Sequence, residues 1–185
     1  MNVIAIVGMC GAGKSVASDY LESIGYKKVY FGGVTMEKLK ENNLEVNPEN
    51  EKMIREKLRS ELGMAACAKI LLPRIKEYAK EYNTVLDGLY SWEELMVLKE
   101  EIKDLKVISI VTDKDIRYER LSKREIRPLT KEEAIKRDLS EIESLQKAQP
   151  IAYADYYILN NGTFLDYENR LNEILELIRG DNNES

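Results

Sequence analysis

Near its N-terminus the chain carries a glycine-rich segment that ends in a lysine and a serine, Gly8-Met9-Cys10-Gly11-Ala12-Gly13-Lys14-Ser15. The spacing matches G-x-x-x-x-G-K-[ST], in which glycines let the backbone wrap a polyphosphate with its amide N–H groups facing the anion. The lysine reaches the β- and γ-phosphates, and the serine hydroxyl ligates Mg²⁺. The segment therefore predicts a site for ATP and Mg²⁺, formed by Gly8, Gly11, Ala12, Gly13, Lys14, Ser15 and Val16.

Short apolar runs alternate with helical patterns along the chain. The glycine-rich segment follows the β-branched run Val3–Val7 and precedes helically spaced apolar groups, which is the strand, loop and helix order that phosphate binding requires. Runs bounded by Gly, Asp or Asn predict further strands over residues 28–31, 84–86, 107–111 and 156–159. The alternation predicts an α/β fold in which a five-stranded parallel sheet is covered on both faces, with ligands at the strands' carboxyl ends.

Helix boundaries are marked by capping residues. Asn47-Pro48 predicts a helix start, and Pro73 predicts a break or kink in the helical stretch 64–82. Residues 91–94 and 130–133 are capping boxes, and the second opens a helix that carries Ile135, Leu139, Ile142 and Leu145. A last helix places four apolar side chains on one face, Leu171, Ile174, Leu175 and Ile178.

Composition limits the class of protein. The 185 residues predict one domain, and a net charge of −5 disfavours a nucleic-acid partner. No apolar run is long enough for a membrane span, and residues 1–7 are interpreted as a strand and not a signal peptide, so a cytoplasmic location is expected. The absence of histidine excludes Ser-His-Asp hydrolysis and histidine-ligated zinc. Cys10 is either a thiol activated by a helix N-terminus or a small space-filling residue.

On its motifs the chain resembles the P-loop nucleotide and nucleoside kinases, most closely dephospho-coenzyme A kinase and its uncharacterised prokaryotic relatives. The resemblance rests on the glycine-rich segment, on Val85-Leu86-Asp87-Gly88, on the arginines of residues 117–137, and on residues 154–162. The last of these is similar to the A-D-x-x-I-x-N-N-G signature, which packs near adenine in dephospho-coenzyme A kinases. The family implies a three-layer α/β/α P-loop kinase fold over residues 1–185, with a helical acceptor-binding insert at about 34–82 and an arginine-rich lid at about 122–137.

The same resemblance implies roles for individual residues. Asp87 would lie beside the phosphate loop, where with Ser15 it orients Mg²⁺, or it would take the acceptor's proton. Arg117, Asn161 and Gly162 would contact the nucleotide. The lid and the helix before it would supply guanidinium groups to the transferring phosphoryl group. These arginines are Arg120, Arg124, Arg127 and Arg137. Alternatively, they pair with Glu119, Glu125, Glu133 and Asp138 on a solvated helix face.

The acceptor side departs from the pattern of nucleoside monophosphate kinases. Those kinases often carry an arginine on the helix after the second strand and another after the Asp-Gly of the third. Residues 33–37 and 87–91 contain neither. Arg55, Arg59 and Arg74 are candidates to replace them, or are ordinary surface residues. Four residues either line an apolar acceptor pocket or pack in the core: Tyr30, Phe31, Met36 and Tyr90.

Two functions follow from this pattern. The first is a Mg²⁺-dependent kinase that transfers the γ-phosphoryl group of ATP to a small nucleotide-like acceptor, either dephospho-coenzyme A or a nucleoside monophosphate. The alternative is a nucleotide-binding regulatory protein whose acceptor site is degenerate. The sequence leaves open the acceptor, the choice between ATP and GTP, and the oligomeric state.

Overall fold

The computed structural model describes residues 1–181 and contains one sheet within that range. Its strands are β1 Val3–Val7, β2 Lys27–Tyr30, β3 Thr84–Asp87, β4 Leu105–Val111 and β5 Tyr156–Leu159. Its helices are α1 Lys14–Ser23, α2 Gly32–Glu41, α3 Pro48–Leu62, α4 Ala66–Glu81, α5 Trp92–Glu101, α6 Lys114–Ser122, α7 Lys131–Glu143, α8 Ala148–Ala152 and α9 Phe164–Asp181.

All neighbouring strands are parallel, in the order β2-β3-β1-β4-β5. Strands β2 and β3 lie on one side of the central strand β1, and β4 and β5 lie on the other. The strand order therefore reverses direction at β1, and such a switch point is where ligands bind in open parallel sheets. The registers Ile6↔Asp87 and Val7↔Ser109 bring the carboxyl end of β3 beside that of β1, while β4 continues two residues further, to Val111. The sheet thus presents the residues after these three strands at one edge.

Alternate residues of β1 serve two separate cores, because successive strand side chains point to opposite faces. Val3, Ala5 and Val7 pack with buried side chains of α2, α3, α4 and α5. Ile4 and Ile6 pack with α1 and with the predicted apolar face of α9. The predicted fold, a five-stranded parallel sheet between two helical layers, is confirmed.

Local signals set most helix boundaries. Asn47 caps α3 by accepting the Asn50 N–H at 2.8 Å, and both capping boxes form, at Ser91 for α5 and at Thr130 for α7. Helix α4 is not broken at Pro73 but runs through it from Ala66 to Glu81. The buried residues Leu71 and Ile75 lie on either side of the proline, and this packing offsets the missing helical hydrogen bond.

Helix α7 buries a polar face. Ala134, Asp138 and Glu141 are buried, whereas Ile135 and Leu139 are 40% and 50% exposed. Asp138 and Glu141 lie one turn apart, so both carboxylates point from one side of the helix into the protein. Buried charges of this kind require partners, and those partners belong to the site described next.

Candidate functional site

The glycine-rich segment joins β1 to α1 as a tight loop. Its three glycines all have positive φ, 147° at Gly8, 82° at Gly11 and 102° at Gly13, and the Ala12 N–H donates to the Met9 carbonyl at 3.1 Å. A side chain at Gly13 would collide with the amide of Asn160. The Lys14 ammonium lies inside the loop and donates to the Met9 carbonyl at 3.0 Å. This is the arrangement that wraps a phosphate group with backbone donors.

Side chains from three distant elements hold the loop from behind. Asn160 Nδ2 and Thr112 Oγ1 donate to the Ala12 carbonyl at 2.9 and 3.0 Å. The Tyr167 hydroxyl donates to the Gly13 carbonyl at 3.0 Å. These bonds turn two carbonyl oxygens toward the protein body, where they do not repel an anion. Sequence reasoning selected none of the three as a site residue, although Asn160 lies in the signature segment 154–162, because nothing local links them to the loop.

The segment after β5 contacts the phosphate loop through Asn160. Asn160 reaches the loop, whereas Asn161 accepts the Asp113 N–H at 2.9 Å through Oδ1. Gly162 lies beside the Asp166 carboxylate at the start of α9. Arg120 donates to the Asn160 carbonyl at 3.0 Å, and its second terminal nitrogen is buried without a hydrogen-bond partner among the described residues. Arg120 is thereby held against Asn160, the residue whose side chain supports the loop.

Asp87 ends β3 beside the loop and is 6% exposed. The Ser18 hydroxyl lies 3.0 Å from Asp87 Oδ2 and 3.0 Å from the Ser15 carbonyl, which ties the carboxylate to the first turn of α1. The Lys28 ammonium lies 3.8 Å from the same carboxylate oxygen. Within residues 1–181 no group of three His, Cys, Asp or Glu side chains could hold a metal ion. Magnesium bound to a nucleotide takes only one or two protein oxygens, so the Ser15 hydroxyl and Asp87 fit that ion.

Arg117 lies in the interior and is only 6% exposed. It donates to both carboxylate oxygens of Asp138, at 2.8 and 2.6 Å, and to the Cys10 carbonyl at 2.9 Å. The guanidinium that was expected to contact the nucleotide thus joins α6, α7 and the phosphate loop. The Cys10 side chain packs with buried apolar residues of α6 and α7, as a space-filling residue does.

A buried ionic cluster of Glu141, Lys147 and Arg137 contacts the phosphate loop at Cys10. Glu141 Oε2 accepts the Cys10 N–H at 3.2 Å and the Lys147 ammonium at 2.8 Å, and Glu141 Oε1 accepts Arg137 Nε at 3.3 Å. The Lys147 side chain is 1% exposed, and its ammonium lies 4.6 Å from the centre of the Tyr90 ring. The sequence analysis did not select Glu141 or Lys147. The available signal was the helical spacing of Arg137, Asp138 and Glu141.

The pKa values in this cluster follow from burial and neighbouring charge. Burial lowers the pKa of Lys14 to about 8, with a further decrease caused by Lys147. Burial also lowers the pKa of Lys147, although Glu141 opposes that shift. Burial alone would raise the pKa of Glu141, but Lys147, Arg137 and Lys14 together hold it below its usual value. The cluster therefore favours the ionised form of the Glu141 carboxylate. The charged forms of Lys14 and Lys147 are stabilised by a neighbouring anion, because burial alone disfavours them.

A cavity of about 750 Å³ lies beside the cluster, with Glu141 in its wall. The cavity is lined by all four residues considered for an acceptor pocket: Tyr30, Phe31, Met36 and Tyr90. Arg55 and Arg59 also line it, whereas Arg74 pairs with Glu37 at 3.2 Å on the surface. Burial raises the pKa of Glu94, another lining residue, to about 7, although two backbone hydrogen bonds and Arg59 oppose the shift.

The lid segment (residues 122–137) contacts the helices predicted as the acceptor insert. Arg127 has a positive φ of 54° and donates to both oxygens of Glu51 in α3, at 2.7 and 3.3 Å. Arg127 and Arg137 line the cavity, while Arg124 is exposed between α6 and α7. The structure therefore brings two of the three lid arginines to the cavity and leaves the third on the surface.

Comparison with known proteins assigns the chain to a family. A family described as an AAA domain matches residues 4–145. A UPF0200 protein of Aeropyrum pernix is 37% identical over 168 residues, which are 90% of this chain and 88% of the relative. The chain belongs to the UPF0200 family, within this AAA domain group.

Solved structures similar to this UPF0200 chain include kinases. Shikimate kinase from Acinetobacter baumannii in complex with shikimate has a TM-score of 0.61 at 19% identity, covering 98% of this chain and 94% of that one. Dephospho-CoA kinase from Campylobacter jejuni has a TM-score of 0.57 at 18% identity, covering 96% and 97%. Likeness at such low identity shows the fold, and the link to dephospho-coenzyme A kinase is at the level of structure. No helix within residues 1–181 combines the length and apolar character of a membrane span.

Proposed function

We propose that this UPF0200 protein is a Mg²⁺-dependent kinase that transfers the γ-phosphoryl group of ATP to a small nucleotide-like acceptor. One observation carries the proposal. Glu141 accepts an N–H of the phosphate loop and also lines the 750 Å³ cavity, so the polyphosphate site and a substrate-sized cavity share a wall. A protein that only sensed or hydrolysed ATP would need no second cavity there.

On the donor side, ATP binds along the loop from Gly8 to Val16. The loop amides and the N-terminus of α1 face its phosphates, and Lys14 leaves the Met9 carbonyl to contact them. Mg²⁺ binds the Ser15 hydroxyl and, directly or through water, Asp87. When bound, the ion neutralises charge on the phosphate oxygens. Asn161 and Gly162 would contact the adenine side of the nucleotide, which is the role that the family resemblance gives them.

On the acceptor side, the insert (residues 34–82) and the lid segment enclose the substrate. The aromatic wall of Tyr30, Phe31 and Tyr90 suits a flat or apolar portion of the acceptor, and Arg59 suits its anionic group. Dephospho-coenzyme A and nucleoside monophosphates both combine such portions. Asp87, beside the first turn of α1, would either orient Mg²⁺ or take the proton of the acceptor hydroxyl.

Phosphoryl transfer requires charge stabilisation and exclusion of water. Lys14 supplies a cation from the loop, and Arg120, Arg124, Arg127 and Arg137 are the candidate guanidinium donors to the transition state. The contact between Arg127 and Glu51 joins the lid segment to the insert and closes the cavity on that side. Closure of this kind limits the hydrolysis that competes with transfer.

The test is Mg²⁺-dependent ADP release from ATP with dephospho-coenzyme A and the ribo- and deoxyribonucleoside monophosphates. We expect one acceptor to raise release well above basal hydrolysis, and Lys14→Ala to abolish that stimulation. The matched control is Lys80→Ala, which removes an exposed lysine paired with Glu77 on α4 and should leave release unchanged. Tight ATP binding without stimulation by any acceptor would contradict the proposal and favour a nucleotide-binding regulatory protein.

A further inference from the structure

A carboxylate lies at the mouth of the phosphate loop, where an anionic ligand would be expected. Glu141 is 3% exposed and accepts the backbone N–H of Cys10, a residue of the glycine-rich segment. The two residues are 131 positions apart, so this contact depends on the tertiary fold. The amides of such a loop serve as donors to phosphate oxygens, and a carboxylate offers similar charged oxygen acceptors.

The surroundings of Glu141 contain more positive charge than one carboxylate needs. Lys147 and Arg137 donate to its two oxygens, and its charge also acts on the buried ammonium of Lys14. Three cations therefore neighbour the carboxylate of Glu141, although Asp87 also acts on Lys14. An excess of positive charge in a buried site costs free energy unless a further anion binds there. A terminal phosphoryl group supplies that charge.

We propose that Glu141 occupies the position of the γ-phosphoryl group in the ligand-free protein, and that ATP displaces it so that Lys147 and Arg137 contact the phosphoryl oxygens. Rotation of the Glu141 side chain into the cavity makes room, because Glu141 already lines that space. Helix α7 stays anchored meanwhile, since the neighbouring Asp138 remains paired with Arg117. The inference rests on the proposed function only in taking ATP as the ligand.

The geometry assigns the terminal phosphate and not an inner one. Inner phosphates bind over the N-terminus of α1, which starts at Lys14. Cys10 lies on the other limb of the loop, beside the Met9 carbonyl that holds the Lys14 ammonium. The lysine of this motif reaches the β- and γ-phosphates, so the space between Lys14 and Cys10 belongs to the outer end of the chain of phosphates. ADP leaves Glu141 in place.

The experiment compares ATP and ADP affinities, measured by calorimetry with Mg²⁺, for the full chain and for Glu141→Gln. Glutamine keeps the size of the side chain but removes the charge that competes with the phosphoryl group. We expect ATP to bind about tenfold more tightly to the variant, and ADP to stay within about twofold. The control is Glu143→Gln, because Glu143 is exposed on the same helix. Equal changes for both nucleotides, or a selective loss of ATP affinity, would overturn the inference.

A second variant keeps the test decisive if Glu141→Gln fails to fold. Lys147→Met keeps an unbranched apolar side chain at the position but removes the ammonium that lies over the Tyr90 ring. We expect its ATP affinity to fall about tenfold more than its ADP affinity, with Lys136→Met on the exposed side of α7 as control. Equal weakening of both nucleotides would refute a contact to the phosphoryl group. Because both assays measure binding, they remain informative if no acceptor supports turnover.

Discussion

The buried pair of Arg117 and Asp138 offers a direct test of the structural role that the fold gives to Arg117. Both residues are below 8% exposed, at 6% and 7%, and they share two hydrogen bonds. We consider Arg117→Met, Asp138→Leu and the double variant. The resemblance to kinases predicts that Arg117 contacts the nucleotide, whereas the geometry predicts that it joins α6 and α7 to the loop.

The magnitude follows from what each substitution leaves behind. Asp138→Leu leaves a guanidinium buried without its carboxylate. Arg117→Met leaves a carboxylate whose remaining side-chain donor, among residues 1–181, is the Tyr118 hydroxyl at 3.0 Å. Removing one partner of a buried pair destabilises a protein by about 3–5 kcal/mol, so each single variant should lose about 4 kcal/mol. The double variant leaves neither charge unpaired. It loses hydrogen bonds to Tyr118 and Cys10, and we expect a destabilisation of about 2 kcal/mol, less than either single change.

Urea denaturation of the four proteins gives the coupling energy, and titration with ATP gives the functional consequence. If Arg117 is structural, the double variant recovers most of the stability and keeps its ATP affinity within about threefold of the wild-type value. Recovery of stability with a loss of ATP affinity above about tenfold would refute this reasoning and place Arg117 on the nucleotide. Additive destabilisation would show that the ion pair is not the source of the effect.

Two further predictions concern the phosphate loop. ATP affinity should fall as the pH rises through about 8, because burial lowers the pKa of Lys14 to about that value and its charge is lost above it. Titrations should show a smaller decline in Lys14→Arg, in which Lys147 is the remaining lysine of the cluster with a lowered pKa, and a flat wild-type profile would contradict the prediction. Asn160→Ala should weaken ATP binding by about tenfold, because the Ala12 carbonyl loses one of its two side-chain donors and keeps the Thr112 hydroxyl. Asn161→Ala leaves both of these donors in place and should weaken ATP binding less; calorimetry giving the reverse order would contradict the supporting role of Asn160.

The loop could be predicted because its determinants are contiguous. The strand, the glycines that accept positive φ and the helix start all lie within residues 3–23, and no distant contact is needed to specify their order. The same holds for the capping boxes and for α9, whose apolar spacing matches its buried face. The roles of individual site residues stay predictions, since binding and turnover decide them.

Helix α7 shows where periodicity stops being sufficient. Its sequence has two faces at helical spacing, one apolar and one charged, and a pattern alone does not state which face is covered. The fold buries Asp138 and Glu141 because donors from other parts of the chain form hydrogen bonds with them there. These donors are Arg117, Lys147 and the Cys10 N–H. Those partners satisfy charges that would otherwise stay in water.

The sequence by itself determined the glycine-rich loop, the parallel sheet and the edge of the sheet at which the candidate site lies, because each depends on short-range pattern and backbone stereochemistry. Tertiary structure decided which residues support the loop. Asn160 and Asn161 are adjacent and chemically identical, yet pairing of β5 with β4 directs only Asn160 to the Ala12 carbonyl. Successive residues at a strand end point in opposite directions, so the register of the sheet, which no local motif encodes, selects between them.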